Sequence, residues 1–92
     1  MTRMAGASDT VALLAQRLEV LEPLYLDIVD DSHRHAGHAG AREGGHFQVS
    51  IVSAAFAGQG TMARHRLVYE AVGDLMRGRI HALVIHARAP GE

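Results

Sequence analysis

The apolar residues of this chain follow two different periods. Val11, Leu14, Leu18 and Leu21 recur at helical spacing; Ser8 or Asp9 can cap the start of that helix, and Pro23 bars its continuation. Leu24, Leu26 and Ile28 then alternate with Tyr25, Asp27 and Val29, which predicts a half-buried strand over Leu24 to Asp31, ended by the acidic pair Asp30-Asp31. From Ser32 to Gly45 no period survives, and glycine at 37, 40, 44 and 45 predicts a long mobile loop. A connection of that length in so small a chain points to a function beyond joining two strands. Alternation resumes over His46 to Ser53 with Phe47, Val49 and Ile51 inward, so the two strands should form an antiparallel hairpin. Gly58-Gln59-Gly60 is a turn, and Thr61 can cap a helix with Val68, Val72, Leu75 and Met76 on one face; Gly73 and Gly78 weaken or end it. Ile80 to Arg88 is an apolar and β-branched run closed by Pro90, a third strand.

Joining the second strand to the third through a helix makes that pair parallel, with a right-handed crossover. The fold class is therefore α+β: a three-stranded mixed sheet covered by helices, in the order αββαβ or αββααβ. The 92 residues suit one core, expected over 8–92, with 1–7 as a disordered N-terminus.

Composition narrows the chemistry. With no cysteine, disulfides, thiolate catalysis and an all-protein iron-sulfur site are excluded, and a reducing, cytoplasmic setting is expected. No apolar stretch approaches the ~20 residues of a membrane span, and the first residues lack the apolar core of a secretory signal. Nine basic residues, all arginine, nearly balance ten acidic ones, so the net charge of −1 provides no strong overall attraction to nucleic acid or anionic lipid.

The densest chemistry is Asp30-Asp31-Ser32-His33-Arg34-His35-Ala36-Gly37-His38, where three imidazoles fall within six residues of a chain that has no thiolate. A self-contained zinc site on His33, His35 and His38 is one reading, but structural zinc normally takes four ligands with cysteines among them. His46 is expected to hydrogen-bond at a strand start, His86 to sit on the sheet surface, and His65 to lie on a helix between Arg64 and Arg66. Consecutive Asp, Ser and His do not make a catalytic triad, whose members converge in space, and nothing supplies an oxyanion hole. Enzyme activity is not expected.

Asp30-Asp31-Ser32 with downstream histidines, His46-Phe47, Ile51-Val52-Ser53, Phe56-Ala57-Gly58, Arg64-His65-Arg66-Leu67-Val68-Tyr69, Ile80-His81-Ala82-Leu83 and Ala89-Pro90 together resemble the BolA family, in order and spacing, from about Leu14 to Glu92. The resemblance implies a fold similar to the class II KH domain, order αββααβ. It also implies a partner, a monothiol glutaredoxin of the Cys-Gly-Phe-Ser type, and a bridging 2Fe-2S cluster held by the glutaredoxin cysteine and glutathione on one side and by BolA side chains on the other. No cofactor is expected on the isolated chain. The family's ligands map to His81 and to one of His35 or His38 in the loop. Members often read Gly-Glu-Thr-His-Phe where this chain has Arg42-Glu43-Gly44-Gly45-His46-Phe47. Replacing thiolate by neutral histidine removes negative charge and raises a cluster's potential.

DNA binding and transcriptional regulation, also attributed to BolA-like proteins, is the alternative implied by the resemblance. Its residues would be Arg64, Arg66, Arg77 and Arg79. Only Gly58-Gln59-Gly60 lies near the place of the Gly-x-x-Gly loop of a KH domain, and the near-neutral net charge argues against it.

Overall fold

The computed structural model describes residues 7–32 and 45–92. Helix α1 (Ala7–Leu18) runs into a 3-10 turn (Glu19–Leu21) and is followed by strands β1 (Tyr25–Asp30) and β2 (Gly45–Val52). A 3-10 turn (Ala54–Phe56) leads to helix α2 (Thr61–Val72), a second such turn (Gly73–Met76) and strand β3 (Ile80–Arg88). The sheet order is β1-β2-β3, with β1 antiparallel and β3 parallel to the central β2. These are the α+β class and mixed pairing expected. Between β2 and β3 the described residues hold one α-helix flanked by two 3-10 turns, and Gly73 (φ 61) breaks the α-helical path after Val72.

Two expected caps are corrected. Helix α1 is already under way at Ala7, so Ser8 and Asp9 lie inside it. Gly60, extended and without a side-chain bond, holds the N-cap place of α2, and Thr61 is the first helical residue.

Both helices cover one face of the sheet. Leu14 and Leu18 of α1 and Val68 and Val72 of α2 are wholly buried together with Phe47, Val49 and Ile51 of β2, the inward set that the alternation specified. Phe56 fills the corner after β2. Leu24, expected as the first residue of the strand, precedes it and is 72% exposed. Arg17 links the helices: its guanidinium donates to the Val72 carbonyl at 2.9 Å, capping the end of α2, and pairs with Asp74 at 3.1 Å.

The other face of the sheet is open. Tyr25, Asp27 and Val29 of β1 and Val84, His86 and Arg88 of β3 are exposed there, flanking the half-buried Gln48, Ser50 and Val52 of β2. The register aligns them in rows: Val29, Gln48 and Val84; Asp27, Ser50 and His86; Tyr25, Val52 and Arg88.

Candidate functional site

At one end of this open face, β2 and β3 both begin with a histidine as second residue, His46 and His81. Because the strands are parallel, their beginnings are neighbours, and the two imidazole rings lie with centroids 5.2 Å apart, tilted by 42°. The ladder is irregular at this point: Gly45 pairs with Ile80 and His46 with Ala82, so His81 is the extra residue of a bulge. A bulge turns the side chain of the surplus residue away from the regular alternation. His81 is exposed and His46 half-buried.

The backbone around His46 is tied on both sides. Its N–H donates to Ser32 Oγ at 3.0 Å, and its carbonyl accepts from the Asp31 N–H at 2.7 Å. Gly45 N–H donates to the Arg79 carbonyl at 3.0 Å, fixing β2 to the residue before β3. Gly45 is glycine for a steric reason. A Cβ there would stand 2.5 Å from both the Phe47 ring and Ser32 Oγ. Asp31 accepts from Gln48 Nε2 at 2.6 Å, and the Asp30 carboxylate accepts from Ser32 N–H at 2.8 Å, so the acidic pair shapes the exit from β1.

Of the three metal candidates from sequence, His81 is placed on this open end. His35 and His38, with His33, lie outside the described residues. Among the described residues no three His, Cys, Asp or Glu side chains converge as a metal cage. His46, expected only to hydrogen-bond at a strand start, is the residue that the structure sets beside His81. The parallel pairing of the second and third strands, already expected, was the signal that set it beside His81.

The four arginines of the nucleic-acid alternative do not form one patch. Arg64 is turned inward: Nη1 donates to the Ala87 carbonyl at 3.1 Å, Nε to the Gln59 carbonyl at 2.7 Å, and the guanidinium forks onto the Glu92 carboxylate at 2.6 and 2.7 Å. That fork holds the Glu92 carboxyl at about 2, well below its usual range; hydrogen bonds from Arg64 and the Ala89 N–H are the main causes. Arg77 and Arg79 lie before the opposite end of β3, about 25 Å along the strand from Ala87. Arg66 is exposed on α2, and Arg79 donates to Thr10 Oγ1 at 3.4 Å. A different basic feature takes their place: a cleft of about 240 Å³ at the start of α2, lined by Thr61, Arg64, His65, His86 and Arg88.

A family model described as BolA-like protein matches residues 18–92. SufE-like protein 1, chloroplastic/mitochondrial, of Arabidopsis thaliana is 41% identical over 100 residues, covering 95% of this chain and 27% of its own length. The DNA-binding transcriptional regulator BolA of Escherichia coli (strain K12) is 33% identical over 79 residues, covering 80% of this chain and 73% of its own. Among solved structures, BolA1 from Arabidopsis thaliana superposes with a TM-score of 0.76 at 36% identity, covering 90% of this chain and 94% of that one. The chain thus spans about a quarter of the plant SufE-like relative.

Proposed function

This chain belongs to the BolA family, and from that premise we propose that it is a non-catalytic cytoplasmic adaptor that binds a monothiol glutaredoxin and co-ligates a bridging 2Fe-2S cluster. The observation that carries the reading is the position of His81. It stands exposed on a bulge at the end of the open sheet face, beside the point where the histidine-bearing connection re-enters β2. The donor set fits: a protein without cysteine reaches iron through imidazole, and the thiolates come from the partner and glutathione. Among the described residues no helix is long and apolar enough to cross a membrane.

His81 supplies an exposed imidazole on a fixed strand. The open face beside it, with Val29 and Val84 43% and 49% exposed in one row, supplies apolar area for the partner. Histidine ligation makes the assembly sensitive to protonation, and neutral imidazole raises the cluster's potential, both suited to a cluster that is passed on. The test is anaerobic reconstitution of a Cys-Gly-Phe-Ser glutaredoxin with glutathione, iron and sulfide, followed by visible circular dichroism. Adding this protein should change the spectrum and His81→Ala should abolish the change. An unchanged spectrum on addition overturns the reading.

A second reading, specific DNA binding, draws support from the Escherichia coli relative's name and from the basic cleft beside Gly58-Gln59-Gly60. Arg64 is engaged internally, so Arg66, Arg88 and the cleft histidines would carry the contact. Gel shifts over a salt series decide it: sequence preference that survives ~150 mM salt supports it, and affinity without preference that vanishes by then sinks it.

A further inference from the structure

We propose that the open face of the sheet is a self-complementary surface on which a second copy of this chain docks, the two copies related by a two-fold axis running along β2. The inference goes beyond the cluster-sharing reading and stands without it.

The rows of the open face differ from edge to edge. On one edge β1 presents an aromatic ring, a carboxylate and an apolar side chain, in Tyr25, Asp27 and Val29. On the other edge, in the same three rows, β3 presents a guanidinium, an imidazole and an apolar side chain, in Arg88, His86 and Val84. All six are exposed, Tyr25 at 55%. Within the described residues the side chains of Asp27 and His86 make no hydrogen bond or ion pair, so their polar atoms are available to a partner.

A symmetric dimer that stacks two copies of this face has its axis in the plane between them. With the axis along the strands, every row lies over its own reverse, and β1 covers β3 of the second copy. Val29 then meets Val84, Asp27 meets His86 and Tyr25 meets Arg88, each contact occurring twice. These are an apolar contact, a carboxylate–imidazole pair and a cation over an aromatic ring. At the centre β2 lies over its own copy, Ser50 on Ser50 and Val52 on Val52. With the axis across the strands at the Ser50 row, β1 covers β1 instead. Asp27 then meets Asp27, His86 meets His86, and the Arg88 guanidinium is set against Val84. Charge therefore selects the first arrangement, in which the strands of the two sheets run in the same direction, about 10 Å apart and about 30° aslant.

Three strands spaced by ~4.8 Å and six residues rising ~3.4 Å each give a footprint of about 14 by 20 Å. That is small among protein interfaces, so the dimer is weak and exchanges readily with the monomer.

The experiment is sedimentation equilibrium of the isolated full chain from about 10 µM to about 1 mM, where the apparent mass should rise from 9.9 kDa toward twice that value with a Kd on the order of 100 µM. His86→Asp sets carboxylate against carboxylate and should raise the Kd by about tenfold or more. Adding Asp27→Arg to that variant sets opposite charges together again and should restore dimerisation to the wild-type level or beyond. Amide spectra of both variants at low concentration that match wild type show that the fold is retained. A mass of 9.9 kDa throughout the range overturns the inference. So does a dimer that His86→Asp leaves unchanged, or one that the added Asp27→Arg fails to restore, since either places the contact on another face. If the amides of the open face shift only when a glutaredoxin is added, and not with the chain's own concentration, that partner alone occupies the face and the inference falls.

Discussion

Arg64 and Glu92 are joined by a two-pronged ion pair, Nη1 to Oε1 at 2.6 Å and Nη2 to Oε2 at 2.7 Å, and Glu92 Oε1 also accepts the Ala89 N–H at 3.1 Å. One carboxylate thereby ties the start of α2 to the turn that follows β3. Arginine's planar fork suits this bidentate geometry, which lysine cannot reproduce.

The Glu92 carboxyl titrates at about 2 when folded, against an ordinary 4.5. A group whose folded value is depressed stabilises above its unfolded value and loses that contribution as pH falls through the folded one. Thermal unfolding of wild type and Glu92→Gln should therefore differ at neutral pH, and the difference should close as pH drops from about 4.5 to about 2. A difference that stays constant across that window would show that Glu92 contributes nothing through its charge.

Ser53 explains part of a sequence signature. It is 1% exposed, donates to the Leu21 carbonyl at 2.5 Å and accepts from Ala55 N–H at 3.1 Å, linking the turn after α1 to the turn after β2. Ser53→Ala strands both backbone groups and should cost roughly 1–3 kcal/mol in urea denaturation. A loss below about 0.5 kcal/mol would mean that water replaces the hydroxyl.

At Gly45 an added methyl group meets a buried phenylalanine ring and a hydroxyl that is already bonded to His46. Gly45→Ala should cost roughly 1–3 kcal/mol through overpacking. It should also weaken the proton–proton cross-peaks between the His46 and His81 rings. Unchanged stability with unchanged cross-peaks would show that the β2 entrance yields freely.

Phe56 is wholly buried beneath the 3-10 turn that precedes α2. Phe56→Ala should lower unfolding free energy by roughly 3–5 kcal/mol, measured by chemical denaturation. In a chain of this size that is a large share of the ~5–15 kcal/mol available. Retention of wild-type stability would place the ring outside the cooperative core.

The alternation of Phe47, Val49 and Ile51, the helical spacing of Leu14 and Leu18, and the glycine after Val72 carried the elements, their pairing and most of the core in the sequence itself. These are local patterns, and a period of two or of 3.6 residues determines which side chains share a face whatever the distant contacts. The family motifs likewise made His81 legible as a site residue. Arg64 lay beyond such reading: nothing in Arg-His-Arg tells that its guanidinium closes on Glu92, 28 positions away. Nor does a histidine at a strand entrance announce a partner 35 residues later; the 5.2 Å approach of His46 to His81 depends on a parallel register with a one-residue bulge. Sequence alone determined most of the residues that face the core, because burial largely follows local periodicity. Only the tertiary structure decided which exposed side chains meet, because a register shift of one residue turns a side chain to the other face of the sheet.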